Sequence, residues 1–208
     1  MISILVANAK GGCGKTTVAT NLATAFANAG LVTALADADR QRSCLGWFKR
    51  RPKDAPRIAA LDWHKRDGKL PDDIDRLVID SGAGLRSRHV QDLLKRADIV
   101  VMPVLPSVFD ERATKAFLKK VEALKPIRKG KKPVAVIGNR LRARTKAETE
   151  LETFLAKLGH DVAARLRDRS TYQDVARRGL GVFDLSPARR AGVVDDWLPL
   201  IHLIEDRG

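Results

Sequence analysis

Eight consecutive residues near the start of the chain, Lys10-Gly11-Gly12-Cys13-Gly14-Lys15-Thr16-Thr17, restrict its fold more than any other segment. They follow a short apolar run, Ile2 to Ala7, and precede a helical pattern from Thr17 to Ala29. Strand, glycine-rich loop and helix in that order form a phosphate-binding loop. Glycines let the backbone amides turn inward around phosphate oxygens, and the helix N-terminus adds its positive end. In such a loop Lys15 sits on the β- and γ-phosphates and the Thr16 hydroxyl ligates magnesium. Lys10, a second lysine at the entrance, is more than nucleotide binding alone requires.

Further apolar runs recur with helical segments between them: Val32 to Ala36, Leu77 to Ile79, Ile99 to Pro103, Val134 to Ile137 and Val162 to Leu166. Helices are expected near 17–29, 41–50, 87–96, 109–124, 146–158, 172–178 and 193–205. The alternation predicts an α/β fold, a doubly wound and mostly parallel sheet with helices on both faces. A length of 208 residues and a hydrophobic content of 44% suit one compact core, so residues 1–208 are expected to form a single P-loop domain. Two cysteines without paired spacing fit a reducing cytoplasm. The first apolar stretch stops at Asn8, too short for a signal peptide or a membrane span.

In open sheets of this kind ligands bind beyond the carboxyl ends of the strands. Chemistry-bearing residues fall at four such ends: Lys10 to Thr17, Asp37 with Asp39, Asp80, and Asn139. Each has a plainer use, since aspartates cap helices after strands and Asn after Gly is an ordinary turn residue. Cys13 is either a neutral spacer or a thiol activated by the helix terminus.

These motifs together resemble the deviant Walker A ATPases of the ParA/MinD class, and among them the short ParA-like (ParF-like) members. The resemblance implies ATP and Mg²⁺ as cofactors, with Lys10, Gly11, Gly12, Cys13, Gly14, Lys15, Thr16 and Thr17 around the nucleotide. It implies that Lys10 reaches across a dimer interface to the partner's ATP, so that ATP joins two protomers. Asp37-Ala38-Asp39 resembles the family's first switch, which implies that Asp39 positions the attacking water, itself near the metal, with Asp37 as its metal-side support. Arg76 to Asp80 resembles a Walker B strand, with Asp80 holding magnesium from the second shell alongside Thr16. Asn139 resembles the strand-end amide that reads adenine. Two departures stand out: Arg40 where the family usually has proline, and Ser81-Gly82-Ala83-Gly84 after Asp80.

The formal net charge of +14 points to a polyanionic partner, nucleic acid or an acidic membrane. From Arg112 to Lys146 there are thirteen basic residues and one acidic residue, Glu122. Lys115, Lys119 and Lys120 share a helix there, and Lys125, Arg128, Lys129, Lys131 and Lys132 follow it. Arg165, Arg167, Arg169, Arg177, Arg178, Arg189 and Arg190 form a second cluster. In the family, basic residues on C-terminal elements contact DNA without sequence preference, which makes these seven arginines with Lys119 and Lys120 the DNA-binding set. General solubility charge is the competing use of such clusters. The apolar end, Trp197 to Ile204, reads as a packed helix rather than a membrane anchor.

The expected function is therefore a cytoplasmic, nucleoid-associated ATPase that dimerises around ATP and binds DNA non-specifically. It lets go on hydrolysis, stimulated by a ParB-like or cargo-specific adaptor. The alternatives are a MinD-type membrane-associated regulator and a metabolic ATP-dependent enzyme of the same fold.

Overall fold

The computed structural model describes residues 1–83, 88–124, 127 and 132–206. Gly84 of the second switch and Lys125, Arg128, Lys129 and Lys131 lie outside the described residues. Among those described, parallel strands form one sheet: β1 (Ile2–Val6), β2 (Thr33–Ala38), β3 (Ile58–Asp62), β4 (Arg76–Ser81), β5 (Ile99–Val104), β6 (Val134–Leu141) and β7 (Ala164–Arg167), in the spatial order β3-β2-β4-β1-β5-β6-β7. Every neighbouring pair is parallel, which goes further than the mixed sheet the sequence allows.

The helices are α1 (Lys15–Asn28), α2 (Ser43–Phe48), α3 (Arg88–Arg96), α4 (Val108–Glu122), α5 (Lys146–Lys157), α6 (Thr171–Arg177), α7 (Pro187–Arg190) and α8 (Leu198–Glu205). Alternate residues of β1 divide between two apolar layers. Ile2, Ile4 and Val6 pack with α1, α2, α6 and α8 on one face, and Leu5 and Ala7 with α3, α4 and α5 on the other. Continuous burial along β1, β2 and β5 is what a parallel sheet covered on both faces demands.

Two elements differ from the sequence reading. β3, Ile58-Ala59-Ala60-Leu61-Asp62, was not expected, because two alanines and a half-buried edge position give a weak strand signal. The final helix begins at Leu198 rather than 193, after a 3₁₀ turn over Val194–Asp196. Pro199 marks its first turn, where a missing N–H costs nothing. Trp197, Leu200 and Ile204 of this end are fully buried, so its apolar face belongs to the core.

Strand order places the site. The chain leaves β1, crosses to β2 and β3, returns to β4 beside β1, then continues outward through β5. The carboxyl ends of β1 and its two neighbours thus border the crevice where the winding reverses. Register sets this at residue level: Asp37 pairs with Asp80, and Asp80 with Val6, the last residue of β1.

Candidate nucleotide-binding site

The phosphate loop leaves β1 through Asn8, whose amide donates to the Pro103 carbonyl of β5 (2.7 Å) while its oxygen accepts the Lys10 N–H (3.1 Å). This buried bracket sets the angle at which the loop departs, and sequence motifs had not singled it out. Gly12 and Gly14 have φ of 76° and 96°, in the left-handed region that favours glycine. Gly11 and Gly12 are exposed, and a Cβ at either would meet no atom within 4 Å, so the loop backbone is open to a ligand's approach. At Gly14 the fit is the reverse: a Cβ would stand 2.2 Å from Asn139 Nδ2.

Lys15 opens α1 and is buried, its ammonium donating to the Lys10 carbonyl at 3.0 Å. Thr16 donates its hydroxyl to Asp80 Oδ2 at 2.7 Å, which brings both sequence-expected magnesium groups together. Thr17 sits half-buried in the first turn of α1, its carbonyl accepting from Asn21. Cys44 of α2 also donates to Asp80 Oδ2 (3.2 Å), a contact spanning 36 residues that no local pattern announces. Asp80 Oδ1 is buried with no partner among the described residues. Burial pushes this carboxyl up to about 7, against the hydrogen bonds from Thr16 and Cys44 that pull it down. A buried acceptor left open beside a threonine hydroxyl is the donor set that a hydrated divalent cation completes, so the residues fit Mg²⁺ held with nucleotide phosphates.

Asp37 is fully buried, and its two oxygens accept the Asp39 N–H (3.1 Å) and the Leu45 N–H (3.0 Å). It shapes the turn after β2 and ties it to α2. Burial raises its pKa above the ordinary aspartate range. Asp39 is half-exposed, accepts the Gln41 N–H at 3.0 Å and faces Gly82 across the crevice, whose Cβ position is 3.6 Å from Asp39 Oδ1. Arg40, standing where the resemblance expects proline, is exposed. Arg42 takes a left-handed φ of 53° at the start of α2 and is held by Asp62 of β3 at 3.2 Å.

Asn139 reaches the loop rather than open solvent. Its amide donates to the Cys13 carbonyl (2.7 Å) and its oxygen accepts the Arg140 N–H (3.0 Å), so it clamps the loop to β6. Cys13 is buried, and desolvation raises its thiol pKa despite the nearby Lys15. That leaves a protonated spacer and not an activated thiol.

Lys10 is 46% exposed and its ammonium lies 2.7 Å from Oδ1 of Asp110, a buried residue in the first turn of α4. Within one chain, then, the entrance lysine is paired in cis. Neighbouring Phe109 is 94% exposed.

The basic residues separate by environment. Arg165 and Arg167 alternate outward on edge strand β7 and pair with Glu152 (2.6 Å) and Asp196 (3.6 Å). Arg169 is half-buried, bonded to the Gly192 carbonyl and Asp196, with its Nε buried. Its guanidinium is thus bound up in the fold. Arg177 and Arg178 end α6 and are exposed, as are Arg189 on α7 and Lys119 and Lys120 on α4; Arg190 is half-buried. No described helix is long and apolar enough to cross a membrane.

Residues 4–182 match the CobQ/CobB/MinD/ParA nucleotide-binding domain. The chain is 27% identical over 196 residues to the maintenance of carboxysome distribution protein A of Halothiobacillus neapolitanus, covering 91% of this chain and 90% of that one. A putative plasmid partition protein of Borrelia burgdorferi, solved with AMPPNP, superposes with a TM-score of 0.76 at 16% identity over 100% of this chain and 99% of that one. The septum site-determining protein MinD of Pyrococcus horikoshii, solved with Mg-ADP, does so with a TM-score of 0.70 at 18% identity, over 98% and 96%. These last two share the fold described above, and the family match runs from β1 through the glycine turn that packs on α1. The chain therefore belongs to the CobQ/CobB/MinD/ParA nucleotide-binding family, on its ParA/MinD side of P-loop ATPases.

Proposed function

We propose that residues 1–208 act as one Mg²⁺-dependent ATPase domain that dimerises around ATP, binds DNA non-specifically in that state, and dissociates after hydrolysis to position an intracellular cargo. The observation that carries this reading is the arrangement at Asp80: a phosphate-loop threonine bonded to one carboxylate oxygen and the other oxygen buried and open. Magnesium, when bound, would neutralise phosphate charge. Thr16 and Asp80 would hold it from the protein side, the Lys15 ammonium, now on the Lys10 carbonyl, would be available to phosphate oxygens, and Asp39 would orient water at the mouth of the crevice. Asp37 keeps that turn in place through the amides of Asp39 and Leu45. Asn139 holds the loop closed, and its second amide N–H is the group left to meet the base.

Dimerisation is supported by the surface around Lys10. Lys10 is half-exposed, so its side chain can swing outward, although doing so leaves the buried Asp110 carboxylate without its partner. Exposed Phe109 beside it is an apolar side chain that a second copy would cover. Similarity to a carboxysome distribution protein supports cargo positioning as the purpose, and the reading takes an adaptor as the stimulating partner. The cycle places the protein on the nucleoid.

Light scattering with ATP and Mg²⁺ tests the reading. Wild type should double in mass, and Lys10→Ala should bind ATP yet stay monomeric. A wild type that binds Mg-ATP but never dimerises, or a Lys10→Ala variant that dimerises normally, would overturn it.

A further inference from the structure

Sequence clustering draws attention to residues 112–146 and to the C-terminal arginines, but the fold assembles a different basic surface. The run Lys49-Arg50-Arg51-Pro52-Lys53, immediately after α2, contributes to it. Arg51 turns inward, where it forms a buried pair with Asp184 (2.9 Å) and stacks over Trp47. Arg50 instead lies on the surface, its Nη2 3.5 Å from the Ala176 carbonyl of α6. It thereby stands beside Arg177. Arg50, Gln173, Ala176 and Arg177 line a shallow concavity of about 550 Å³, with exposed Lys53 and Arg178 on the elements that supply them.

We propose that this joint between α2 and α6 is the nucleic-acid surface, with Arg50 and Arg177 on successive backbone phosphates and Gln173 between them; the proposal rests on the DNA-binding reading given above. Three observations favour it over the β7 edge. Arg167 and Arg169 are matched by the buried carboxylate of Asp196, which phosphates would have to displace, while Arg165 meets the half-exposed Glu152 at 2.6 Å. At the joint the acidic neighbours are Asp54, Asp174 and Asp184. Asp184 is engaged by Arg51, and the Asp174 to Arg177 separation of 3.7 Å is between two exposed side chains, a pairing worth little. Planar guanidiniums facing a concave surface suit bidentate contact to phosphate, which carries no sequence information. An anionic membrane fits less well, because none of the exposed large apolar side chains among the described residues, Met1, Val32, Phe109 and Leu198, lies on α2, α6 or the 49–57 segment.

The joint is also attached to the nucleotide site. α2 is held at its start by Asp37 through Leu45, and at its end Trp47 and Arg51 donate to the carbonyls of Leu180 and Gly179 just beyond Arg178. Gly179 and Gly181 pack so closely that a Cβ would stand 2.3 Å from the Arg51 nitrogen and 2.1 Å from Thr24 of α1. α2 thus joins the turn after Asp37 to the segment carrying Arg50 and to the turn that follows Arg177.

The test is fluorescence anisotropy of a random-sequence duplex with ATP and Mg²⁺ over a roughly fourfold range of salt, for Arg50→Gln, Arg177→Gln, the double variant, and Arg165→Gln/Arg167→Gln as comparator. Each lost phosphate contact should lower the slope of log affinity against log salt by about 0.9, and weaken binding about eightfold at about 0.1 M salt. Because the ATP-joined dimer carries each substitution twice, the double variant should lose at least about sixtyfold, the figure for one engaged copy, and the β7 comparator less than twofold. Melting curves on the same samples report whether each variant is folded. A wild type that binds duplex with an unaltered slope in the double variant overturns the surface and leaves the DNA reading standing. A wild type that binds no duplex, or binds only vesicles containing anionic phospholipid, overturns both.

Discussion

Asp80→Asn should make the nucleotide-free protein more stable at alkaline pH while removing its response to Mg-ATP. The carboxyl is fully buried with a pKa of about 7 against an ordinary value of 3.8, a difference equivalent to about 4 kcal/mol. Its sign follows from where the protons are. Below pH 3.8 the group is protonated in both folded and unfolded chains. As pH rises toward 7 the unfolded chain ionises first, so stability is present at low pH and is lost progressively up to the folded value. Asparagine keeps an oxygen for Thr16 and Cys44 but points an NH₂ into the pocket where Oδ1 now has no partner, at a cost of about 1–3 kcal/mol. The net gain should be about 1–3 kcal/mol near pH 8.5, and the gap should narrow by about 2–3 kcal/mol on going to pH 5. Urea denaturation at the two pH values measures this directly, and a melting shift with Mg-ATP gives the functional half. Equal stability of variant and wild type at both pH values would refute the claim that burial of a charge, held for the metal, is what the site costs the fold.

Gly14→Ala meets two obstacles at once, a φ of 96° and a Cβ 2.2 Å from Asn139 Nδ2. It should abolish ATP binding by calorimetry and destabilise the fold by at least about 1–3 kcal/mol, the cost of a strained backbone position. Asp184→Ala leaves the Arg51 guanidinium buried without its carboxylate and should cost about 3–5 kcal/mol in denaturant melts. Arg51→Met/Asp184→Leu should recover much of that, and a double variant no better than Asp184→Ala alone would show that the loss comes instead from the Asn28 and Gly181 contacts to Asp184.

The sheet was legible where strands are long, apolar and followed by a polar residue at the carboxyl end, because a strand buried on both faces has few alternatives to Val, Ile and Leu. β3 was missed for the opposite reason: at the sheet edge it needs little hydrophobicity, and register with β2 holds it in place. At the candidate site, Lys15 and Thr16 could be read because the loop's spacing is a backbone requirement, and Asp80 because it stands near the end of an apolar strand. Asn8, Cys44 and Asp110 could not. Each acts through a contact formed only when distant strands align: Asn8 on Pro103, Cys44 on Asp80, Asp110 on Lys10. Asn139 was found but its geometry differs from the motif's promise, since the amide that resembles a base reader is turned onto the Cys13 carbonyl.

Charge is where sequence and structure part most clearly, and Arg50 and Arg51 show why. They are adjacent, chemically identical and part of one basic run. One lies in an open concavity, and the other is 4% exposed, held by Asp184 and two carbonyls. The difference comes from the end of α2: the helix stops at Phe48, the second and third residues beyond it point in different directions, and the packed glycine turn at 179–181 decides which side is solvent. The same reasoning divides the C-terminal arginines, with Arg169 tied to Asp196 and Arg177 left at the surface. A count of arginines along the chain therefore measures how much positive charge the fold carries, while the carboxylates placed opposite each one determine how much of it remains for a polyanion.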